Sequence, residues 1–348
     1  MSRALPILYH PDYLRYNFGP AHPFTPVRQE MLLDLFAAFG YPLECTAPEP
    51  ATDEDLLRVH SPDYLRAVAS ASVLAWTPGM MRYGLDTPDV PIFPGMDEAG
   101  RMLVGGTLEA ARIVADGKAL RALQLGGGLH HAFPARASGF CVYNDLAVAI
   151  DYLCDRGLRV AYIDIDVHHG DGVQWMFYDR PEVLTISLHE SGEYLFPGTG
   201  MEHEQGTEAG LGASINIPLN PDITPAAYLA RFESVVPTAL EAFRPDVLVV
   251  QAGADAHFKD PLAHLSLTTH TFERLHRLLV EYADRYAGGR AVFTLGGGYD
   301  LDAAVRVWAI LIHVLQGRAI PERMPEAWLE RWGTGYPRRM SGTLHDGK

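Results

Sequence analysis

Two aspartates and a histidine follow an apolar segment in the middle of the chain, and their types and spacing are those of metal ligands. Arg159–Ile165 reads as a β-strand, and Asp164, Asp166 and His168 stand at alternate positions from its end. If the extended geometry continues, these side chains project to one face. Asp255 follows a second apolar segment, VLVVQ. Two carboxylates and an imidazole make a ligand set for a catalytic divalent metal with an open position. The alternative is that the side chains cap a turn.

Two adjacent histidines could supply acid–base chemistry. The apolar segment Ala122–Leu125 leads through a run of glycines to His130 and His131. Histidines at a strand end can act as general acid and general base when a carboxylate holds each imidazole in one tautomer. Asp164 and Asp171 are available for that purpose. The alternative is a surface or structural histidine pair, although glycines that let the backbone approach a ligand make this position less ordinary.

A tyrosine stands in a similar position after another strand. The apolar segment Ala291–Leu295 leads through a second run of glycines to Tyr299. Its hydroxyl could donate a hydrogen bond to a developing oxyanion. The alternative is a tyrosine packed at a strand–helix turn. Neither glycine run has the spacing of a nucleotide-binding motif.

The elements that must position these residues alternate between short β-rich segments and longer helical patterns. The predicted strands are Leu5–Tyr9, Ala122–Leu125, Arg159–Ile165, Val183–Leu188, Ser214–Ile217, Val247–Gln251 and Ala291–Leu295. The predicted helices are 26–39, 97–116, 144–156, 224–242, 268–287 and 300–316, with Thr268 or Thr269 and Asp300 available as N-caps. Continuously apolar strands that alternate with helices predict a parallel sheet covered on both faces. Ligands of such sheets bind beyond the carboxyl ends of the strands. Residues 77–97, rich in proline and glycine, read as a long loop.

Composition bounds the function further. The chain has 348 residues, 48 % apolar and 20 % charged, as expected for a globular protein with a sizeable core. The formal charge of −15 without a basic run argues against nucleic-acid binding. The three cysteines are too few and too widely spaced for a disulfide framework. Because the sequence shows neither a secretory signal nor an apolar segment of about 20 residues, we expect a cytoplasmic protein without a membrane association.

Several motifs together resemble the zinc-dependent histone deacetylase family, in order and at suitable spacings. They are YNFGPAHPFTPVR, GGGLHHA, SGFCVYND, YIDIDVHHGDG, SLHESGEYLFPGTG, QAGAD and GGGYD. The resemblance covers roughly residues 5–316 and is far more specific than any single motif. Within the family, HESGEYLFPGTG and GADAHFKDPLAHL look most like the bacterial acetoin-utilisation type of deacetylase.

The resemblance implies roles for the residues described above. Zinc, or ferrous iron as an alternative, would be held by Asp166, His168 and Asp255. His131, supported by Asp171, would take a proton from the attacking water and give it to the leaving amine. His130, paired with Asp164, would tune the field, and which histidine acts as the acid and which as the base stays open. Tyr299 would polarise the acyl carbonyl.

The resemblance also implies substrate contacts and a second ion. The implied substrate-binding residues are Asp86, Phe140, Phe196, Leu262, Gly128 and Gly298. Arg28 matches an arginine near an internal acetate channel, with a surface charge on helix 26–39 as the competing interpretation. A structural potassium ion is implied at Asp164, Asp166 and His168 with Ser187 and Leu188.

The implied fold is a single α/β domain over residues 1–348. It is of the arginase/deacetylase-like kind, with about eight parallel strands sandwiched between helices and a C-terminal extension, about 317–348, packed on the domain. The implied reaction is hydrolysis of N6-acetyl-lysine in a protein or peptide, with an acyl-CoA synthetase as a target by analogy. Leu262 stands where polyamine-selective relatives place a glutamate, which argues against acetylpolyamines. An acetylpolyamine or other small N-acyl amine hydrolase and a catalytically silent acyl-ligand sensor remain as alternatives, and the oligomeric state is open.

Overall fold

Short apolar segments form a central β-sheet. The computed structural model describes residues 5–333 and 339–347, and within them the sheet has eight strands that all pair in parallel. The strands are β1 (Ile7–Leu8), β2 (Cys45–Thr46), β3 (Arg121–Gln124), β4 (Val160–Asp164), β5 (Val183–Glu190), β6 (Ser214–Leu219), β7 (Val247–Gln251) and β8 (Ala291–Thr294). Their order across the sheet is β2-β1-β3-β8-β7-β4-β5-β6. The predicted parallel α/β sheet is confirmed, and β2 is the strand that the sequence did not reveal.

Helices cover both faces of the sheet. The α-helices are α1 (Val27–Ala38), α2 (Asp53–Leu56), α3 (Pro62–Ser72), α4 (Met96–Ala115), α5 (Asp145–Asp155), α6 (Asp171–Met176), α7 (Pro225–Phe243), α8 (Thr269–Tyr286), α9 (Leu301–Gln316) and α10 (Glu326–Trp332). Short 3-10 helices occupy Pro11–Arg15, Met80–Tyr83 and Glu208–Gly210. Alternate strand residues enter different apolar clusters: Ile163 packs with residues of α1, α7, α8 and α9, whereas Tyr162 packs with residues of α4, α5 and α6. This alternation is the period of two of a β-strand, with both faces buried.

Side-chain caps define where several helices begin. Thr268 caps α8, and its hydroxyl accepts a hydrogen bond from the backbone of Thr271, as predicted. Asp300 caps α9 and accepts from the backbone of Ala303, also as predicted. Each cap satisfies an N–H group that lacks a partner inside its helix. The cap at Asp300 fixes the position at which the chain turns from β8 into α9, next to Tyr299.

Strand register brings the chemically interesting residues to one edge. Asp164, at the end of β4, pairs with Ser187 of β5 and with Gln251 of β7. Gln251 in turn pairs with Thr294 of β8. Because all the strands run in the same direction, the segments that follow β3, β4, β7 and β8 leave the sheet side by side.

The C-terminal part of the chain packs on this framework. Trp328 of α10 is buried and its indole N–H donates to the carbonyl of Met31 in α1, at 2.9 Å. Residues 339–347 lie against α8 and α9, where Leu344 is fully buried. Residues 334–338 and 348, which belong to the predicted C-terminal extension, lie outside the described residues. Among the described helices, none combines the length and the apolar character that a membrane span requires.

Candidate active site

Three buried side chains converge at the carboxyl ends of β4 and β7. His168 Nδ1 lies 3.1 Å from Asp166 Oδ1 and 3.1 Å from Asp255 Oδ2. One ligand atom from each of these residues lies within 4.8 Å of the others, and all three residues are buried. The predicted ligand set is therefore assembled in space. Two carboxylates and an imidazole are donors that suit zinc and chemically similar divalent cations.

Backbone and amide groups hold the two carboxylates in place. Asp166 Oδ2 accepts hydrogen bonds from the Gln251 side-chain amide at 2.7 Å and from the Gly297 backbone at 2.9 Å. Asp255 Oδ1 accepts from the backbone of Val167 at 2.8 Å. Gly297 stands so close that a methyl group on its Cα would overlap the carboxylate oxygens of both aspartates. Such supporting contacts orient metal ligands, and mutating them lowers metal affinity.

The electrostatics of the three ligands favour a bound cation. Burial, together with the charge of Asp166, raises the pKa of Asp255 to about 8. Although burial opposes a charged imidazole, hydrogen bonds to the two carboxylates hold the pKa of His168 well above its usual range. The raised pKa of Asp255 reflects the cost of a second buried negative charge beside Asp166, and a positive ion bound there would offset that cost. A divalent cation fits this requirement.

Each of the adjacent histidines is bonded to its own carboxylate. His130 Nδ1 lies 2.7 Å from Asp164 Oδ2, and His131 Nδ1 lies 2.7 Å from Asp171 Oδ1. The two rings are 4.0 Å apart between centroids, and both histidines are buried. A carboxylate at Nδ1 fixes the tautomer and leaves Nε2 as the atom that can exchange a proton with a ligand. The predicted pairing of each histidine with its aspartate is found in the structure.

The surroundings drive the pKa values of the two histidines apart. Burial opposes the charge of His130, but the nearby carboxylates of Asp164 and Asp166 outweigh it and raise its pKa to about 9. Burial and the neighbouring charge of His130 lower the pKa of His131 to about 4, despite Asp171. A divalent cation at the ligands would lower both values, because like charges disfavour the protonated imidazole. Two titratable neighbours with divergent environments are typical of an acid–base pair.

Tyr299 is held beside the metal ligands by a buried aspartate. The backbone N–H of Tyr299 donates to Asp260 Oδ2 at 2.7 Å. Burial, followed by the charges of Asp255 and Asp166, holds the pKa of the Tyr299 hydroxyl well above its usual value, although Arg28 opposes the shift. The hydroxyl therefore keeps its proton at neutral pH and can donate it in a hydrogen bond.

An open cavity of about 270 Å³ leads to these groups. It is lined by Asp89, His131, Gly139, Phe140, His168, Leu195, Phe196, Leu262 and Tyr299. The ring of Phe140 is 5.7 Å from that of Tyr299, and the ring of Phe196 is 5.1 Å from that of His131. Three of the predicted substrate-binding residues, Phe140, Phe196 and Leu262, thus lie in its wall.

Asp86, predicted to bind the substrate, is not among the residues that line the open cavity, and its role stays a prediction. Asp86 is exposed, and its carboxylate accepts a hydrogen bond from the indole of Trp76 at 2.7 Å. Asp86 has a left-handed backbone with a φ of +59°. Asp89 lines the cavity instead, where its carboxylate accepts from the backbone of Gly139 at 2.7 Å.

Behind the open cavity lies a smaller inner cavity that contains the predicted Arg28. Arg28 is buried, which rules out the surface-charge interpretation, and its guanidinium donates to the carbonyl of Gly298 at 2.7 Å. Burial lowers the pKa of Arg28. Gly128 also lines the inner cavity, as do His130, His131 and the metal ligand Asp166. The guanidinium lies 5.1 Å from the ring of Trp308, another residue of the lining.

The residues of the implied potassium site are neighbours where the end of β4 pairs with β5. Asp164 and Ser187 pair across the two strands. Asp164 Oδ2 also accepts from the hydroxyl of Tyr162 at 2.5 Å, and the Ser187 hydroxyl lies 2.8 Å from His189 Nδ1. Leu188 is buried in the same strand. Potassium binding here stays a prediction.

Comparisons with known proteins agree with this geometry. The model of the histone deacetylase domain matches residues 22–315. The chain is 44 % identical over 345 residues to the acetoin utilization protein AcuC of Bacillus subtilis (strain 168), covering 97 % of this chain and 89 % of that protein. It is 37 % identical over 339 residues to AcuC of Staphylococcus xylosus, covering 95 % and 88 %. A crystal structure of an HDAC homolog from Aquifex aeolicus superposes with a TM-score of 0.90 at 31 % identity, covering 99 % of this chain and 95 % of that chain. An HDAC homolog complexed with SAHA gives the same values.

Proposed function

We propose that this chain, which belongs to the histone deacetylase family of amidohydrolases, removes the acetyl group from N6-acetyl-lysine in proteins or peptides and uses zinc as its cofactor. The observation that carries the proposal is that the open cavity meets the acid–base and cation-binding residues. An apolar cavity suited to a straight methylene stem ends at two histidine–aspartate pairs beside a ligand set for a divalent cation.

The aromatic wall supports the choice of a lysine side chain. Phe140 and Phe196 line the cavity with Leu262, so that a four-methylene stem would lie against apolar surface. At the position of Leu262, a glutamate would attract the second ammonium group of a polyamine substrate. Leucine carries no charge, so its presence disfavours acetylpolyamines as substrates. Asp89 accepts a hydrogen bond from Gly139 and has capacity for a second one from the backbone of a peptide substrate.

The cation would be held by Asp166, His168 and Asp255. When bound, it supplies Lewis acidity, which makes a water acidic near neutral pH and polarises the acyl carbonyl. Ferrous iron would serve the same ligands, and metal analysis of the purified protein decides between the two ions.

His131 is the better placed of the two histidines for proton transfer with the substrate. His131 lines both cavities, whereas His130 lines the inner one. In the proposed reaction, Nε2 of His131 takes a proton from the attacking water as the oxygen bonds to the carbonyl carbon. The same atom then gives that proton to the amine nitrogen as the carbon–nitrogen bond breaks. Asp171 keeps the imidazole oriented, and His130 with Asp164 sets the local field.

Tyr299 stabilises the oxygen that becomes negative. Its hydroxyl keeps its proton because burial and the nearby carboxylates hold its pKa well above the usual value. It therefore donates a hydrogen bond to the developing oxyanion from a fixed position. The buried guanidinium of Arg28, which lines the inner cavity, would offer a positive charge to the acetate product.

Acetate release tests the proposal directly. We would compare an acetyl-lysine peptide with an acetylpolyamine, each with zinc-loaded and chelator-stripped protein. Zinc-dependent turnover that favours the peptide is the expected result. Preference for the polyamine would assign the protein to small N-acyl amines, and no turnover of either substrate with zinc bound would favour an acyl-ligand sensor.

Two variants test the assigned roles. Tyr299→Phe should lower kcat by roughly 10²–10³, the usual cost of losing an oxyanion donor, while the metal stays bound. Asp255→Ala should lose the metal.

Because the relatives are named for acetoin utilisation, an acetylated acyl-CoA synthetase is the first protein substrate to assay. A cytoplasmic location and a structural potassium ion are further proposals for the same protein.

A further inference from the structure

A second group of metal-binding side chains lies on the surface, away from the active site. Within the described chain, His270, Glu273 and His345 each offer a ligand atom, and these atoms lie within 4.8 Å of one another. His270 lies in the first turn of α8 and Glu273 three residues later, so the two share one helix face. His345 comes from the C-terminal segment, defined here as residues 339–347. The group therefore joins two parts of the chain that are far apart in sequence.

The arrangement of the ligand atoms suits a cation with nitrogen and oxygen ligands. His345 Nε2 lies 3.1 Å from Glu273 Oε2, a separation that two ligands of one metal ion can adopt at metal–ligand bonds of about 2.0–2.2 Å. The imidazoles of His270 and His345 stack with centroids 4.3 Å apart and planes 9° apart. Because a metal ion binds an imidazole nitrogen in the plane of the ring, the exposed ring of His270 would rotate out of this stack when both histidines bind one cation.

The surroundings leave the ligand atoms available. Arg277 bonds to Oε1 of Glu273, so Oε2 is the oxygen that faces His345. Within residues 5–333 and 339–347, Nδ1 of His345 has no hydrogen-bond partner, so nothing there fixes the tautomer of the ring. His270 is exposed, which gives a cation a route from solvent.

We propose that His270, Glu273 and His345 form a second binding site for a zinc-class divalent cation, which fastens the C-terminal segment to α8. Two imidazoles and one carboxylate with an open fourth position are a recognised zinc ligand set. The position of His270 in the first turn of α8 weakens the site, because the helix dipole disfavours cations there, while the carboxylate of Glu273 opposes this effect. This inference is independent of the reaction proposed for the active site.

A cation at His345 would strengthen an existing anchor, because the next residue, Asp346, already holds the C-terminal segment to the rest of the protein. Asp346 accepts hydrogen bonds from the backbone of Thr269 at 2.8 Å and from His257 Nε2 at 3.0 Å. It also pairs with the fully buried Arg306 at 2.9 Å. A cation at His345 would add a further link one residue away. The C-terminal segment should then open less often when zinc is bound.

Metal content measured by equilibrium dialysis and elemental analysis tests the site. Protein whose active site is already loaded with zinc is dialysed against Zn²⁺, alongside His270→Ala and Glu273→Gln. His203→Ala, which removes another exposed histidine, is the matched control. Wild type and His203→Ala should bind one equivalent more than the two site variants. Equal metal contents in all four proteins would overturn the proposed site.

Hydrogen exchange tests the fastening separately. With excess Zn²⁺, amide exchange in residues 343–347 should slow at least threefold in wild type and stay unchanged in His270→Ala. His270 is exposed, so its replacement leaves the folded chain intact. A second equivalent of zinc without slower exchange would overturn the fastening.

Discussion

Asp260 is predicted to control turnover through the position of Tyr299. Its carboxylate is buried and accepts three backbone hydrogen bonds, from Tyr299 at 2.7 Å, Asp300 at 3.4 Å and Leu262 at 3.0 Å. Burial raises the pKa of Asp260 to about 6, although the bonds from Tyr299 and Leu262 oppose the shift. The group is thus largely ionised at neutral pH, where it holds an oxyanion donor and a wall residue in one arrangement.

The perturbation is Asp260→Ala. Loss of the carboxylate leaves the N–H of Tyr299 without its acceptor, which costs about 1–3 kcal/mol of stability. A displacement of a catalytic group by about 1 Å costs on the order of 10²-fold in rate. We therefore expect kcat for an acetyl-lysine peptide to fall between about 10-fold and 100-fold, with the metal still bound and KM changed less than kcat.

A double-mutant cycle with Tyr299→Phe identifies the route of the effect. If Asp260 acts through the hydroxyl of Tyr299, its removal should cost less than about threefold in kcat once that hydroxyl is absent. Thr224→Ala, which removes the N-cap of the distant helix α7, is the control for stability and should cost about 1 kcal/mol without a change in kcat. An equal loss in both backgrounds, or unchanged turnover in Asp260→Ala alone, would refute the reasoning.

Three further predictions concern the metal ligands, the lining of the open cavity and the hydrophobic core. Gly297→Ala should lower metal content, because the added methyl group overlaps the carboxylates of Asp166 and Asp255, whereas Gly342→Ala, with open space around it, should retain the metal in the same elemental analysis. Asp89→Asn should raise KM for a peptide by about 10-fold with kcat nearly unchanged, which corresponds to a loss of about 1.4 kcal/mol in binding free energy. Asp86→Asn should behave as wild type. Equal effects of the two substitutions in steady-state assays would contradict the assignment of Asp89 as the residue that binds the peptide backbone. Trp328→Ala should lower stability by about 3–5 kcal/mol, the usual cost of emptying a buried aromatic site, and an unchanged denaturant midpoint would count against it.

Most of the site was predictable from the sequence because its residues directly follow apolar strands. In a parallel sheet such strands end at a common edge, so Asp166, His168, Asp255 and Tyr299 could be placed together before any contact was known. The pairing of each histidine with its aspartate came from the family resemblance. The strand β2 was missed because two residues carry no periodicity that could reveal a strand.

The positions that sequence reasoning missed depend on tertiary contacts. Asp89 lies with Asp86 in one proline- and glycine-rich segment without periodicity, so no local pattern could show that Asp89 lines the cavity. Gln251 ends an apolar strand, and this polar residue at a strand end was the available signal. Asp260 acts on a residue that follows a different strand, so no local pattern could reveal its role.

Sheet order also has a consequence for how the protein folds. β3, which precedes His130 and His131, pairs with β8, although residues 125–290 separate them in sequence. By contrast, β4, β5, β6 and β7 follow one another closely along the chain and lie together in the sheet. Local pairings close early because they cost less loop entropy, and distant pairings come later. A refolding chain would therefore assemble the cation ligands on β4 and β7 before β3 joins β8 and brings the acid–base histidines to them, so cation binding should return before hydrolysis does.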